Sequence, residues 1–367
     1  MIINCSKSVL SEALSVVSKA VSTRSNLDVL EGIFIKAEEG SLLTLIGNDL
    51  EIGIEAKINA EVIESGKAVL NAKMLIGIVR SLPSDDVYIE VKENNSAVIK
   101  SGLTKFEING IDPSEFPELI KVDSEYTIEI SNNILKNMIN KTAFSVSTSD
   151  IKPVLKGCLL EIEGNKLKMV AVDKFRMAIR EEILEESFEK KSLIIPEKTL
   201  SEIAKILKDG DEKVKINCNS KNVVFSFENY RLVSRLIEGE FIKYNSAISE
   251  SFEIDLECSK NELTDAINRD SLMLTSDSLK APLKFKISGD NINITCETIQ
   301  GSFDDNINIP TGNANLLIGF NNVFLLDALR ACDEEMIRIK FNKNINPLVI
   351  TPVDGDKFLY LVLPMKI

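Results

Sequence analysis

The chain has 367 residues, of which 44% are hydrophobic and 27% charged, a composition typical of a globular protein with several domains. It contains no histidine, which excludes Ser-His-Asp and Cys-His catalysis and every histidine-containing metal site. The formal net charge of −13 disfavours a simple nucleic-acid-binding domain, because such domains use basic residues to neutralise phosphates.

No apolar run reaches the roughly 18 residues that a membrane span needs, and no secretory signal is recognisable, so a cytoplasmic location is expected. The six cysteines are irregularly spaced and form no Cys-x-x-Cys motif. We therefore expect reduced thiols, mostly in the core or in strands, with no disulfide framework, no metal site and no cofactor.

Three segments with the same order of features recur at a period of about 125 residues. Each has a short strand pattern, a serine suited to cap a helix, and then apolar residues at helical spacing. The serines are Ser6, Ser131 and Ser259. The apolar residues predicted to be buried are Val9, Leu10, Ala13, Leu14 and Val17, then Ile134, Leu135, Met138 and Ile139, then Leu263, Ala266 and Ile267.

A second helix pattern follows in each repeat, beginning at Asn71, Pro196 and Asn321, and each is followed by a strand pattern. Between the two helices lie alternating segments rich in β-branched residues, which are typical of strands. The sequence therefore predicts an α+β fold of three tandem domains, with boundaries at 1–121, 122–245 and 246–367.

Basic residues are concentrated on these predicted helices. The six helix patterns together are net positive, so the remainder of the chain is more acidic than its total suggests. This distribution predicts one electropositive face on an acidic body, although an ordinary solvated helix face would look the same. A ring would explain an acidic DNA-binding protein, because enclosure keeps it on DNA with few phosphate contacts.

Four local motifs occur in order: SEFPEL at 114–119, AVDKFRMAI at 171–179, LIGFNNVFLLDAL at 317–329 and LYLVLPMKI at 359–367. Together with the length and the three-fold repeat, they resemble the bacterial DNA polymerase III β subunit (β sliding clamp) family over the whole chain. The resemblance implies two helices packed on two small antiparallel sheets in each domain, and a head-to-tail dimeric ring lined by twelve helices. It also implies a non-catalytic processivity factor of DNA replication that encircles duplex DNA.

The resemblance further implies one docking pocket per chain, between the second and third domains, for short hydrophobic peptides of partner proteins. The implied partners are the DNA polymerase III α subunit, the clamp loader δ subunit, and other polymerases and repair proteins. Apolar walls would bury the peptide, and Arg176 and Asn321 would fix its polar groups. The matching positions are Leu155, Val172, Lys174, Phe175, Arg176, Met177, Ile242, Asn321, Phe324, Val362, Leu363, Pro364 and Met365.

Two further surfaces follow from the same resemblance. The positions expected to face DNA are Arg24, Lys73, Ser149, Lys152 and Lys198 from the resemblance, and Arg80, Lys136, Lys141 and Lys205 from the charge on the predicted helices. The positions expected at the homodimer seam are Lys100, Lys105, Phe106 and Ile108 on one edge, and Met273, Leu274, Glu297, Asp304 and Asp305 on the other. The opposite charges of the two edges fit a head-to-tail contact.

The chain departs from the family pattern at several positions. Lys174 stands where the family usually has glycine, Ile242 where proline is frequent, and Leu103 where a basic residue is common. These changes predict an altered peptide preference and a weaker seam. They leave both a replicative clamp and a diverged paralogue open.

An enzyme is the alternative from another class. Asp49 and Asp173 fall at equivalent places in two repeats and could be read as the carboxylate pair of a hydrolase. Their repeat symmetry favours a structural role, in a turn or at a helix edge, which predicts that neither carboxylate is catalytic.

Overall fold

The computed structural model describes residues 1–273, 281–310 and 314–367. The chain forms two compact units. Unit 1 comprises Met1–Asn133 and Lys205–Leu236, and unit 2 comprises Ile134–Ala204 and Ile237–Ile367.

The helices lie where the repeat predicts them. The described residues form α1 Lys7–Val17, α2 Ala72–Ser81, α3 Asn132–Asn140, α4 Glu197–Ile206, α5 Lys260–Asp270 and α6 Asn322–Ala331. Ser6 caps α1 by accepting from the N–H of Val9, and Ser259 caps α5 by accepting from the N–H of Glu262. These two predicted caps are confirmed, and each satisfies an N–H that has no partner inside its helix.

The buried face of α1 differs from the prediction at one residue. Leu10, Ala13, Leu14 and Val17 are buried, whereas Val9 is 41% exposed. Because an α-helix turns by about 100° per residue, Val9 lies outside the stripe that Leu10 begins. The inclusion of Val9 in the core was therefore wrong.

The strands are mostly short. The first twelve are β1 Ile2–Ser6, β2 Gly32–Glu38, β3 Leu42–Asn48, β4 Ile52–Asn59, β5 Glu61–Glu64, β6 Gly66–Asn71, β7 Asp86–Val91, β8 Ser96–Ser101, β9 Thr104–Asn109, β10 Tyr126–Ser131, β11 Gly157–Val172 and β12 Arg176–Pro196. The others are β13 Lys213–Cys218, β14 Asn222–Phe227, β15 Tyr230–Arg235, β16 Ile254–Ser259, β17 Leu283–Ser288, β18 Asn291–Thr298, β19 Gly301–Asn308, β20 Asn315–Phe320, β21 Met336–Phe341, β22 Leu348–Pro352 and β23 Phe358–Val362.

Unit 1 contains two antiparallel sheets. One has the strand order β5-β1-β7-β8-β9, and the other has the order β10-β13-β14-β15-β4-β3-β2-β6. The second sheet is continuous because β15 pairs with β4, from Tyr230 opposite Ala56 to Ser234 opposite Ile52. Two small sheets from successive repeats thereby share one set of backbone hydrogen bonds.

Unit 2 repeats this arrangement. Its sheets have the orders β11-β12-β23-β22-β21-β16 and β19-β18-β17-β20. The junction is the pairing of β12 with β23, which places Arg176 opposite Val362 and Met177 opposite Leu361. The AVDKFRMAI and LYLVLPMKI motifs, far apart in sequence, are therefore neighbours in one sheet.

All six cysteines are buried with free thiols. Burial raises the pKa of Cys5, Cys158 and Cys258 to about 12 in each case, because an apolar environment disfavours the thiolate. Among the described residues, no helix has both the length and the apolar character needed to cross a membrane.

Candidate functional site

Asp173 organises the turn between β11 and β12. Its Oδ1 accepts hydrogen bonds from the N–H groups of Phe175 (2.6 Å) and Arg176 (2.9 Å). Asp49 forms the same turn in unit 1, where its Oδ1 accepts from the N–H groups of Glu51 (3.0 Å) and Ile52 (2.8 Å). Both carboxylates thus hold turns, which supports the structural interpretation over the catalytic one.

Arg176 connects this turn to α6. Its Nε donates to Asp173 Oδ2 at 2.9 Å, and its Nη1 donates to Asp327 Oδ2 at 2.6 Å. The guanidinium carbon lies 4.4 Å from the ring centroid of Phe324 and 5.6 Å from that of Phe144. Two ion pairs and two ring contacts therefore fix this side chain between the turn and α6.

An aromatic pair lies at the rim of the same region. The rings of Phe175 and Phe324 stack with centroids 6.1 Å apart and an interplanar angle of 25°. Phe175 is 47% exposed, and the ammonium of Lys174 lies 5.2 Å from its ring centroid. Exposed stacked aromatic rings on a folded surface are typical of a site that buries a partner's apolar side chain.

Apolar residues form the floor beneath this rim. Leu155, Val172 and Met177 belong to one buried cluster, and Ile242 packs against it half-buried. The last residues of the chain border it, because the N–H of Leu363 donates to Phe175 O and that of Met365 to Gly319 O, both at 2.8 Å. Leu363 is 37% exposed, Pro364 and Met365 are half-buried, and Val362 is buried.

Most of the expected pocket residues thus occupy one surface of unit 2. We call the partly exposed residues Phe175, Phe324, Ile242, Leu363 and Met365, together with Arg176, the unit 2 patch. Asn321 also caps α6, since its Oδ1 accepts hydrogen bonds from the N–H groups of Val323 and Phe324. Sequence reasoning missed Asp327, which follows Phe324 by three residues and so shares its helix face.

The basic residues expected to face DNA are mostly at the surface. Arg24, Lys73 and Arg80 are exposed in unit 1. A concave region of this unit, with a volume of about 720 Å³, is lined by Arg80, Lys205 and Lys19. In unit 2, Ser149, Lys152 and Lys198 are exposed and Lys136 is half-buried. Lys141 is engaged within the unit, because its ammonium lies 3.1 Å from Asp333 Oδ1.

The expected seam residues lie at two sheet edges. Among the described residues, strand β9 pairs with β8 alone, and β19 with β18 alone. Phe106 of β9 is half-buried and Ile108 is buried in its own unit. On the other edge, Arg269 Nε donates to Asp305 Oδ2 at 3.0 Å, and Lys284 lies 3.7 Å from Glu297.

Three other seam residues have contacts within their own unit. Lys100 lies over the Tyr88 ring, Lys105 is 3.9 Å from Glu107, and Asp304 accepts from Asn293 at 2.6 Å. Met273 ends the first described range, and Leu274 lies outside the described residues.

A repeated α+β scaffold with a basic concave face, open sheet edges and an aromatic patch defines a protein that works by binding other molecules. Family models of the DNA polymerase III β subunit match its N-terminal domain at residues 1–120, its central domain at 129–243 and its C-terminal domain at 245–366.

Individual relatives agree over the full length. The β sliding clamp of Staphylococcus epidermidis is 34% identical over 358 residues, covering 95% of this chain and 94% of the relative. The crystal structure of a Eubacterium rectale protein assigned as a DNA polymerase III β subunit is 36% identical, with a TM-score of 0.96 and complete coverage of both chains. The sliding clamp of Bacillus subtilis is 30% identical, with a TM-score of 0.96 and coverage of 100% and 99%.

The chain therefore belongs to the DNA polymerase III β subunit family, the bacterial sliding clamps. Its function is that of a processivity factor, a non-catalytic accessory subunit of DNA polymerase III. The recognition made from the four sequence motifs is confirmed, as is the α+β fold of three clamp domains.

Proposed function

We propose that two copies of this chain join head to tail into a ring around duplex DNA, and that the unit 2 patch of each copy holds partner proteins. The observation that carries the proposal is the match of all three family domains in succession along the chain. We place the boundaries of the three domains at 1–121, 122–245 and 246–367.

The unit 2 patch supports the peptide-binding part of the proposal. Stacked Phe175 and Phe324 offer apolar surface at its rim, and Leu155, Val172 and Met177 provide a rigid floor. A short hydrophobic peptide can bury its apolar side chains against such a surface with little loss of conformational freedom in the protein. The proposed partners are the DNA polymerase III α subunit, the clamp loader δ subunit, and other polymerases and repair proteins.

The basic helices support the DNA-binding part. Lys73 and Arg80 are both exposed on α2 and are seven residues apart, so they share one face of that helix. Arg80 also lines the concave surface of unit 1 with Lys19 and Lys205. Few basic contacts suffice for a protein that encloses DNA, and weak contacts permit sliding.

Charge reversal on α2 tests this assignment. The double variant Lys73→Glu/Arg80→Glu is expected to shorten retention on nicked circular DNA, and to flatten the salt dependence of DNA affinity by a slope of about 2. The matched control is Lys36→Glu/Lys67→Glu, which makes the same charge change on the neighbouring strands β2 and β6. Equal effects of the two double variants would show that α2 does not face DNA.

The two open sheet edges support the ring. Within the part of the chain that the structure describes, strands β9 and β19 each have one unpaired side, and unpaired edges are templates for pairing with another chain. Lys100 and Lys105 lie on or beside the first edge, and Asp304 and Asp305 lie on the second. Repeating one head-to-tail contact closes a ring when the rotation between copies allows it.

A pair of crossed variants separates ring formation from peptide binding. Phe106→Glu places a charge in the apolar part of the β9 edge, so it is expected to raise the dimer dissociation constant at least a hundredfold in analytical ultracentrifugation. Its affinity for a polymerase-type peptide with the sequence Gln-Leu-x-Leu-Phe, which stands for the hydrophobic peptides of partner proteins, should be unchanged. Phe175→Glu should lose peptide binding but remain dimeric. A dimeric Phe106→Glu protein would show that β9 is not at the seam.

A further inference from the structure

We infer that Lys174 makes the unit 2 patch select partner peptides that carry acidic residues beside their hydrophobic core. This inference rests on the proposed peptide-binding function and adds a specificity to it. Lys174 is exposed in the turn between β11 and β12, and it forms no ion pair within the described part of the chain. Its charge is therefore available to a bound partner.

Lys174 begins a chain of four neighbouring side chains. Its ammonium lies 5.2 Å from the Phe175 ring centroid, Phe175 stacks on Phe324 with centroids 6.1 Å apart, and the guanidinium carbon of Arg176 lies 4.4 Å from the Phe324 ring centroid. A cation over an aromatic face is attracted by the ring, which favours an ammonium position at the rim over many alternatives in solvent. The charge thus sits beside the surface that receives the peptide.

The charge of Arg176 is not equally available. Asp173 and Asp327 each lie within hydrogen-bonding distance of Arg176, at 2.9 Å and 2.6 Å, and their two negative charges exceed its single positive charge. This group of three side chains therefore does not attract an approaching carboxylate. Lys174 is then the residue that gives the rim its attraction for an acidic partner.

The expected size of the affinity difference follows from the exposure of Lys174 to solvent. An ion pair between solvent-exposed side chains contributes little, so an acidic flank should improve affinity by about two- to fivefold at low salt. The improvement should largely disappear at high salt, because mobile ions screen exposed charges. A basic flank should weaken binding by a similar factor.

The test uses fluorescein-labelled peptides with the core Gln-Leu-Ser-Leu-Phe and three Asp, three Asn or three Lys residues placed directly before or directly after it. Dissociation constants of the full-length protein are measured by fluorescence anisotropy at 50 mM and 500 mM NaCl. We expect the Asp peptides of at least one placement to bind tightest at 50 mM, and the order to collapse at 500 mM.

Two variants assign the effect to Lys174. Lys174→Met keeps an apolar stem over the Phe175 ring but removes the charge. It should therefore bind the Asp, Asn and Lys peptides with equal affinity, and the Asn peptide with the affinity of the parent protein. Lys190→Met makes the same charge change on β12, at a residue paired with Glu163, and should keep the preference. Discrimination that survives in Lys174→Met, or none in the parent protein, would overturn the inference. Failure of every peptide to bind would instead remove the proposed pocket.

Discussion

Replacing Arg176 with alanine is expected to weaken binding of a Gln-Leu-x-Leu-Phe peptide by tenfold or more, although the guanidinium need not touch the peptide. The variant removes the group that joins the Asp173 turn to Asp327 on α6 and packs on Phe324. The turn at Asp173 and helix α6 then lose their alignment, and two half-buried carboxylates are left without their cation. Fluorescence anisotropy of the labelled peptide measures the change.

Lysine at this position should restore little of the lost affinity. A lysine ammonium cannot bond both carboxylates in the planar geometry of a guanidinium while stacking on an aromatic ring. Arg231→Ala is the matched control, because it removes the same side chain from β15 in unit 1. Parent-like affinity in a folded Arg176→Ala protein would show that the patch does not depend on this network.

Replacing Asp333 with alanine is expected to destabilise unit 2 by about 2–3 kcal/mol, a large effect for a residue that is about a third exposed. Asp333 Oδ2 accepts from Arg180 Nη2 at 2.6 Å, and Arg180 is only 1% exposed. Without Asp333, the buried guanidinium keeps its bond to Glu182 at 3.1 Å, while Nη1 already has no partner among the described residues. Removing the accessible carboxylate therefore leaves a buried cation poorly compensated.

The same pair predicts a pH dependence. Burial alone would raise the pKa of Asp333, but hydrogen bonds from Arg180 and Lys141 outweigh it and hold this pKa below its usual value. A carboxyl with a lowered folded pKa stabilises the protein above its unfolded pKa of about 3.9, and this contribution is lost as the pH falls through the folded value. The difference between parent and variant should be constant above about pH 5 and shrink below about pH 4.

Urea unfolding at several pH values measures both effects. Lys357→Met is the control, since this half-exposed lysine lies 3.9 Å from Asp333 and should contribute less than about 1 kcal/mol. If Asp333→Ala lowers the free energy of unfolding no more than Lys357→Met does, solvent must reach the Arg180 guanidinium and replace its lost partner.

The sequence predicts the helices well because their signals are local. The caps at Ser6 and Ser259 and the stripe from Leu10 to Val17 are set by residues within a few positions of one another. The error at Val9 arose at the first turn, where an apolar residue extends the pattern without facing the core. Pairing between distant strands has no such local signal, so the junctions of β15 with β4 and β12 with β23 were not predictable in register.

The same distinction applies to the site. The motif at 171–179 and the family resemblance identified most residues of the unit 2 patch. They did not reveal that Arg176 pairs with Asp327, 151 residues away, or that Asn321 uses its Oδ1 as a helix cap. Such roles depend on tertiary contacts. The sequence around a polar side chain does not show whether the side chain bonds within the protein or faces a ligand.

The buried cysteines have a consequence for chemical reactivity. With pKa values near 12, the thiols of Cys5, Cys158 and Cys258 are almost entirely protonated at neutral pH, and the thiolate is the form that attacks oxidants and alkylating reagents. Because all six cysteines are also buried, we expect the chain to resist cross-linking during oxidative stress. A single cysteine introduced on the surface should therefore be the preferred target of a maleimide dye. The labelled protein can then be followed on DNA without first removing the native thiols.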